Sequence, residues 1–497
     1  MTAKTASLKQ VGVLTFFGMT VAIVASVRNI PDVAATGWTM FFYMLVATLL
    51  FALPIALMSG EYSGMFPRAG GPELWVTNGL SPRWGFVTSW LLWVQMFPGM
   101  VMVSSVIAPL VAVSIGQPEL SRNGPFTLIC ILVAYWAVTI LNLFFDMARL
   151  GGQIGVVLGL YLPVAFMVIL GIAALVKVGI NPGSYLGTGS TGLLPFTAES
   201  AGTLAFFASI VFIFSGIEMS SVYLPRLKNA AKTYLRGIFI ALAFMFLFNT
   251  LLAFVTAGVV PLGKMDLNNI AQAPVIILGI LGLPSWIANV FAGTVLIGVF
   301  VQLSAWVTGP SKTITDSARR GFYPPRLRFW KTNHLDVAPT VLLTQATVIS
   351  LFAVIFILIP SVNTAFLLLV TATAIIYIVV YILMATGILR LRSTKPTLKR
   401  PFHMGNNRVA WIVMLVFLIT VVASSFATLW YQGWINAVII VGITVVLTVV
   451  PLIIFWKRKP SWASDVTREL GTESPESEAT IEPSPEPEPG PAASAVL

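Results

Sequence analysis

Residues 24–31 read VASVRNIP and interrupt the first long apolar segment of the chain with an arginine, an asparagine and a proline. Residues 214–221 read FSGIEMSS and place a glycine and a glutamate in the sixth apolar segment. Such residues at these depths are typical of discontinuous membrane helices, and a five-plus-five inverted repeat places them first and sixth. The sequence therefore predicts an all-α integral membrane protein with interrupted helices 1 and 6 and two additional helices.

The number of long apolar segments along the whole chain predicts the number of transmembrane helices. The chain of 497 residues is 57% apolar and 9% charged, whereas soluble domains are about 25% charged. Each run of about 20 apolar residues can cross a bilayer. We predict twelve transmembrane helices, named span 1 to span 12 in chain order: 11–35, 38–59, 84–114, 125–145, 151–176, 202–224, 236–259, 285–309, 339–359, 364–389, 409–430 and 434–456.

The distribution of basic residues predicts the orientation. With the N-terminus (1–10) in the cytoplasm, 25 of the 29 Lys and Arg residues lie in inward segments and 3 lie in outward loops. This asymmetry follows the positive-inside rule, so both termini are expected in the cytoplasm of a multi-pass inner (plasma) membrane protein. The net charge of +11 is then explained by loops that face anionic lipid, without a nucleic-acid partner.

The cytoplasmic segments after spans 8 and 12 carry two further expectations. The basic loop 310–338 is either a short amphipathic surface helix or a plain loop. The C-terminal segment 457–497 follows the twelve-helix transporter domain (11–456) and becomes rich in Pro, Glu and Ser after residue 459. Such a composition predicts a disordered acidic tail, which either only aids solubility or acts as a regulatory plug or partner site.

Metal and nucleotide chemistry have little support in the sequence. The single cysteine, Cys130, lies within span 4, and the two histidines, His334 and His403, have no metal-ligand spacing. Neither a phosphate-binding glycine loop nor a catalytic constellation occurs. We therefore expect no cofactor, no ATP-driven pumping and no enzymatic activity.

Interrupted helices suit a ligand with two opposite charges. The N-terminus of a half-helix attracts a carboxylate, and the carbonyls at the end of another half-helix suit an ammonium group. Two such breaks facing one another would bind the backbone of an α-amino acid. This chemistry predicts a small amino acid or a close derivative as substrate.

Charged side chains within spans 1 and 6 are candidates for function, because a charge in a bilayer is costly unless it faces a cavity or a partner. Arg28 either lines the substrate path and favours an anionic group, or reaches the interface or pairs with a carboxylate such as Asp32. Glu218 has either a proton or gating role or a structural hydrogen-bonding role.

Polar and aromatic side chains of other spans are further candidates. Gln302 and Trp306 share one face of span 8 with Ser304 nearby, and this face either lines a cavity or packs against other helices. Phe212 in span 6 and Tyr377 in span 10 are gate residues or packing residues.

Several motifs resemble the amino acid–polyamine–organocation superfamily. The segment 61–85, EYSGMFPRAGGPELWVTNGLSPRWG, resembles its loop between helices 2 and 3, and FSGIE at 214–218 resembles its broken helix 6. RRGFYP at 319–324 resembles its loop after helix 8. LKQVGVLTFFGMT at 8–20 and SAWVTGPSK at 304–312 are similar to the bacterial glutamate/γ-aminobutyrate antiporter group.

The resemblance implies a leucine-transporter-type five-plus-five fold and amino acid exchange or proton-coupled uptake. By position, Val24, Ala25 and Ser26 match the unwound part of helix 1 that binds the substrate carboxylate. Ser215, Gly216 and Ile217 match the break in helix 6 that receives the amino group. Phe212 and Trp306 match the gating aromatics. Glu218 matches a carboxylate linked to proton sensing, and Tyr377 matches a tyrosine near the site.

Departures from the antiporter group bear on the substrate. Arg28 stands where that group has a tyrosine, Gln302 where it has a glutamate, and Arg226 where an acidic residue is common. These exchanges make the site more positive, which favours an anionic substrate or a different side chain. We expect a secondary amino acid transporter; the alternative is a non-transporting amino acid sensor that signals through its C-terminal tail.

Overall fold

Helices form the regular structure of the protein in the computed structural model. The structure describes residues 12–25, 27–66, 71–145, 147, 155, 157–227 and 230–470. Within these ranges no strand occurs, and eleven helices are long and apolar enough to cross a membrane. They are Gly37–Met65, Pro82–Ser114, Gly124–Phe144, Val157–Val178, Ala201–Ser221, Lys232–Val259, Trp286–Arg319, Pro339–Leu358, Val362–Thr394, Asn407–Gln432 and Trp434–Trp456.

These eleven helices overlap spans 2 to 12, one helix for each span. Span 1 differs, because its described residues form a helix at Val13–Val24, a 3-10 turn at Val27–Asn29 and a short helix at Ile30–Ala34. Ala25 has an extended backbone (φ −71°, ψ 130°), and Pro31 occupies the first turn of the short helix, where proline is tolerated. Ser26 lies outside the described residues.

Span 6 contains 3-10 segments and turns around one short α-helix. The α-helical part is Phe207–Phe212, and a 3-10 helix follows at Ile217–Arg226. Between them, Gly216 has φ of +92°, a conformation that residues with a Cβ rarely adopt. The Val13–Val24 helix of span 1 packs against the 3-10 helix of span 6, and Ile30–Ala34 packs against Phe207–Phe212.

Burial separates central from peripheral spans. Span 3 is almost wholly buried among the other helices, whereas span 12 presents most of its apolar side chains outward. Trp430, Trp434 and Trp456 are exposed at the ends of spans 11 and 12, where tryptophan is favoured at a bilayer interface. Span 3 thus lies at the centre and spans 11 and 12 at the edge facing lipid.

The structure differs from the sequence prediction in the loop after span 8. The helix of span 8 continues to Arg319, so the description of residues 310–319 as a surface helix or loop is wrong. The hydroxyls in this extension hydrogen-bond to their own helix, as Thr315 does to the Ser311 carbonyl at 3.0 Å. Ser317 also contacts Ser89 of span 3 at 2.9 Å, so the extension packs inside the protein.

The first part of the C-terminal tail is helical, at Ser461–Leu470, so the prediction of disorder is wrong there. Val466 is 1% exposed, and Arg458 donates hydrogen bonds to the carbonyls of Gly321 and Arg320 at 3.0 and 3.1 Å. The average composition of the tail concealed these anchoring residues. The prediction for 471–497 lies outside the described residues.

Candidate functional site

A small cavity lies beside the interrupted part of span 1. Ala25 and Arg28 of span 1 line it, together with Val103 and Val106 of span 3 and Trp306 of span 8. The helix stops at Val24, so the backbone groups of its last turn lack the hydrogen-bond partners that a continuous helix would provide. This helix end lies at the cavity. The cavity therefore combines an apolar wall with a guanidinium group and a helix end.

Arg28 is the charged group of the cavity wall. Its guanidinium carbon lies 5.8 Å from the ring centroid of Trp306, a distance at which a cation is attracted to the aromatic face. The salt bridges among described residues do not include a pair between Arg28 and Asp32. Of the alternatives for Arg28, the geometry agrees with a position on the cavity wall.

A second cluster joins span 6 to span 10 around Glu218, which is fully buried. The hydroxyl of Tyr377 donates to Glu218 Oε1 at 2.5 Å, and the hydroxyl of Tyr381 donates to Oε2 at 3.1 Å. The backbone N–H of Gly216 donates to the Tyr381 hydroxyl at 3.0 Å. The ring of Phe212 meets that of Tyr377 edge-on, with centroids 6.1 Å apart. Both carboxylate oxygens thus accept a hydrogen bond from span 10.

The predicted site residues therefore divide between two places. Ala25, Arg28 and Trp306 line the cavity, whereas Phe212, Gly216, Glu218 and Tyr377 form the cluster at spans 6 and 10. The three remaining described positions are Val24 and Ile217, which are buried, and Ser215, which is partly exposed. Ser26 and the side chain of Gln302 lie outside what the structure describes.

Comparison with known proteins gives the family. A family model described as amino acid permease matches residues 11–449. The chain belongs to this family. The permease is therefore a membrane transporter and not an enzyme, and the resemblance to the superfamily is confirmed.

Relatives agree with this membership, and a solved structure shares the fold. The permease is 28% identical over 428 residues to an uncharacterized transporter of Legionella pneumophila, covering 84% of this chain and 89% of that protein. It is 26% identical over 429 residues to a glutamate/γ-aminobutyrate antiporter of Lactococcus lactis, covering 84% and 83%. A manganese transporter from Eremococcus coleocola shares the fold, with a TM-score of 0.56 at 12% identity over 94% of this chain and 99% of that chain.

Two features of the candidate site were not predicted from the sequence. Tyr381, the second hydrogen-bond donor to Glu218, lies one helical turn after Tyr377, and this i, i+4 spacing was a signal that could have indicated it. Asp32 is also fully buried on the short helix after the cavity. The sequence had treated it only as a partner for Arg28.

Buried ion pairs hold loops against the ends of the spans. Glu61, at the end of span 2, accepts hydrogen bonds from Arg392 of span 10 at 2.8 and 2.5 Å, and Arg400 Nε lies 3.4 Å from the same carboxylate. Burial lowers the pKa of Arg400, and the nearby Glu61 carboxylate opposes this shift. The three charges connect the loop after span 10 to span 2.

A second ion pair joins Glu73 to Arg320, just after the span 8 helix. Burial raises the pKa of the Glu73 carboxyl, and the Arg320 guanidinium opposes that shift. Arg320 belongs to the segment that the C-terminal helix contacts through Arg458. The ion pair thus connects the motif at 61–85 to the motif at 319–324.

Proposed function

We propose that the protein is a secondary active transporter of amino acids or close derivatives. It works by alternating access in the plasma membrane, as an antiporter or coupled to protons. The single observation that carries this proposal is a membrane cavity that meets a helix end and the Arg28 guanidinium. Membership of the amino acid permease family supports it, as does the antiporter named among the relatives.

The substrate site lies between discontinuous helices 1 and 6 of a five-plus-five repeat. The segment of Val24, Ala25 and Ser26 binds the carboxylate, and Ser215, Gly216 and Ile217 receive the amino group. The start of the helical segments after Ala25, at Val27–Asn29 and Ile30–Ala34, offers N–H groups to a carboxylate. The end of the Phe207–Phe212 helix before Gly216 offers carbonyls to an amino group. Both features support this assignment. The remaining contacts come from Gln302, Trp306, Phe212 and Tyr377.

Glu218 acts in this proposal as a proton-sensing and gating residue. Its two hydrogen bonds to span 10 hold the broken part of span 6 in place. If span 6 moves during transport, these hydrogen bonds either break or are kept because span 10 moves as well. Span 6 therefore moves together with span 10, or releases from it, between the two access states.

The orientation completes the proposal. Both termini lie in the cytoplasm, since the basic residues concentrate in the segments on that side. Residues 471–497 form an acidic cytoplasmic tail after the helical anchor at Ser461–Leu470.

Counterflow in proteoliposomes tests this function. Vesicles loaded with L-glutamate, γ-aminobutyrate, a neutral amino acid or an amine are diluted into radiolabelled substrate at two pH values. We expect one class of substrate to accumulate transiently against its gradient. Flux that survives deletion of residues 471–497 would also support transport, whereas binding without any flux would reject transport and favour the sensor.

Removal of the Arg28 charge should change substrate preference. Arg28→Ala should raise the Kd of an acidic amino acid by roughly 10–100-fold relative to a neutral one, because a hydrogen bond to a charged group contributes about 1.5–3 kcal/mol. Competition counterflow measures both affinities, with Arg28→Lys as the variant that keeps the charge. An equal loss for acidic and neutral substrates would reject anion recognition by Arg28.

A further inference from the structure

Asp32 has a buried side-chain carboxyl group in the membrane domain, and this group has no ion-pair partner among the described residues. It lies on the Ile30–Ala34 helix of span 1 and is 0% exposed. Neither carboxyl oxygen has a hydrogen-bond partner among the described residues. The ion pairs found in those same residues do not include Asp32 either.

The described elements packed against the Ile30–Ala34 helix form no ion pair with Asp32. Ser209, on the Phe207–Phe212 helix, faces the carboxyl, but its single hydroxyl proton is donated to the Phe206 carbonyl at 2.8 Å. That short helix carries no titratable side chain. On the adjoining turn Val27–Asn29, the charged group is Arg28, which makes no salt bridge with Asp32.

The helix of span 7 also packs against Ile30–Ala34. Its titratable groups, Lys232, Tyr234 and Arg236, lie near its beginning. Leu252 of this helix shares a cavity wall with Ile30. Since Leu252 is sixteen residues beyond Arg236, the helix rise separates the two by about 24 Å.

An ionised carboxylate in such a place would be strongly destabilised, because burial removes its hydration and no salt bridge or hydrogen bond from the described residues replaces it. Asp32 is therefore neutral in this conformation. Glu218 contrasts with it, since two tyrosine hydroxyls donate to its oxygens and such donors can stabilise a negative charge. Of the two buried acids in spans 1 and 6, Asp32 is the one that has to hold a proton.

A second small cavity lies next to the residues that precede Asp32. It is lined by Ile30 and Pro31 and by the polar side chains of Thr256 and Asn269. A small displacement of the Ile30–Ala34 helix would bring the carboxyl to this cavity.

We propose that Asp32 is a proton-binding site that couples transport to a proton gradient. It holds its proton in the conformation described here. When the short helix moves, the O–H bond breaks and the proton passes to water in the second cavity, leaving a carboxylate. The coupling part rests on the proposed transport function, whereas the protonated state of Asp32 does not.

Infrared spectroscopy tests the protonated state without any transport. Purified wild-type protein at neutral pH should show the C=O stretch of a protonated carboxyl group that Asp32→Asn lacks. Asp336→Asn, which removes an acid that is 62% exposed, should leave that band in place. If Asp32→Asn does not fold, Asp32→Ser serves instead. A wild-type spectrum without a band that depends on Asp32 overturns the proposal.

Proton movement tests the coupling. In proteoliposomes with a trapped pH-sensitive dye, L-glutamate and then the other counterflow substrates should drive proton uptake by wild type and Asp336→Asn. A gradient of one pH unit can drive about a tenfold accumulation of substrate when one proton is coupled to each substrate molecule. Asp32→Asn should lose this accumulation. Any flux that remains in this variant is then substrate exchange alone. Proton uptake by Asp32→Asn at the wild-type ratio of protons to substrate overturns the coupling. A sodium requirement of wild-type transport that Asp32→Asn abolishes overturns it as well. A wild type that moves no substrate rejects the proposed function and leaves the infrared result to decide the protonated state.

Discussion

Glu61→Gln should lower the free energy of unfolding by about 3–5 kcal/mol, the effect expected when one partner of a buried ion pair is removed. The Glu61 side chain is 0% exposed and that of Arg392 is 6% exposed. Without the carboxylate, Arg392 and Arg400 would face one another across a buried space with no negative charge. The backbone N–H of Met404 would also lose an acceptor at 3.1 Å. Thermal unfolding of the purified protein in detergent measures the change.

Two variants control this prediction. Glu119→Gln removes an exposed acid from the loop between spans 3 and 4 and should change the stability by no more than about 0.5 kcal/mol. The double variant Glu61→Leu with Arg392→Met should recover part of the loss, because an apolar pair of similar volume can replace a buried ion pair. Equal stability of Glu61→Gln and Glu119→Gln would contradict the account of this cluster.

Gly298→Ala should destabilise the protein by about 1–3 kcal/mol and stop transport, because it adds an atom where two backbones touch. A Cβ at Gly298 would lie 2.7 Å from Gly159 Cα in span 5 and still closer to the Gly159 nitrogen. Backbone cannot rotate away as a flexible side chain can. Spans 5 and 8 would have to separate, and with them Val299 and Leu303, which line the cavity.

Gly293→Ala on the same helix is the matched control. A Cβ there would lie 3.6 Å from Ser114 Oγ, an ordinary contact. Alanine is favoured over glycine within a helix by about 1 kcal/mol, so this variant should be neutral or slightly stabilising. Thermal unfolding and counterflow on both variants measure the contrast. If Gly298→Ala behaved like Gly293→Ala, the close packing of spans 5 and 8 would not be required.

The sequence predicted those features that depend on local composition. Runs of apolar residues gave the positions of spans 2 to 12, because hydrophobic length is a property of each segment alone. The family could also be predicted from the sequence, because the motif at 61–85 and the segment around Gly216 are each contiguous stretches of the chain. The function of the individual site residues stays a prediction.

The features that sequence reasoning missed depend on distant contacts. Glu61 and Arg392 are 331 positions apart, and composition gives no sign that they meet. The extension of span 8 to Arg319 was missed because its serines and threonines read as a polar loop, although their hydroxyls are satisfied within the helix. The helix at Ser461–Leu470 depends on anchors such as Val466, which an average over an acidic tail conceals.

Thiol accessibility at the two helix interruptions tests the central claim most directly. Cys130 is the single cysteine of the chain, so Cys130→Ser gives a background into which Ala25→Cys and Ser215→Cys are introduced separately. We expect both positions to react with a small water-soluble thiol reagent during turnover, and the counterflow substrate to slow both reactions. Ala346→Cys, a buried position in the continuous helix Pro339–Ala353, should stay unreactive. Failure of positions 25 and 215 to react, or reaction that saturating substrate leaves unchanged, would contradict a substrate site between spans 1 and 6.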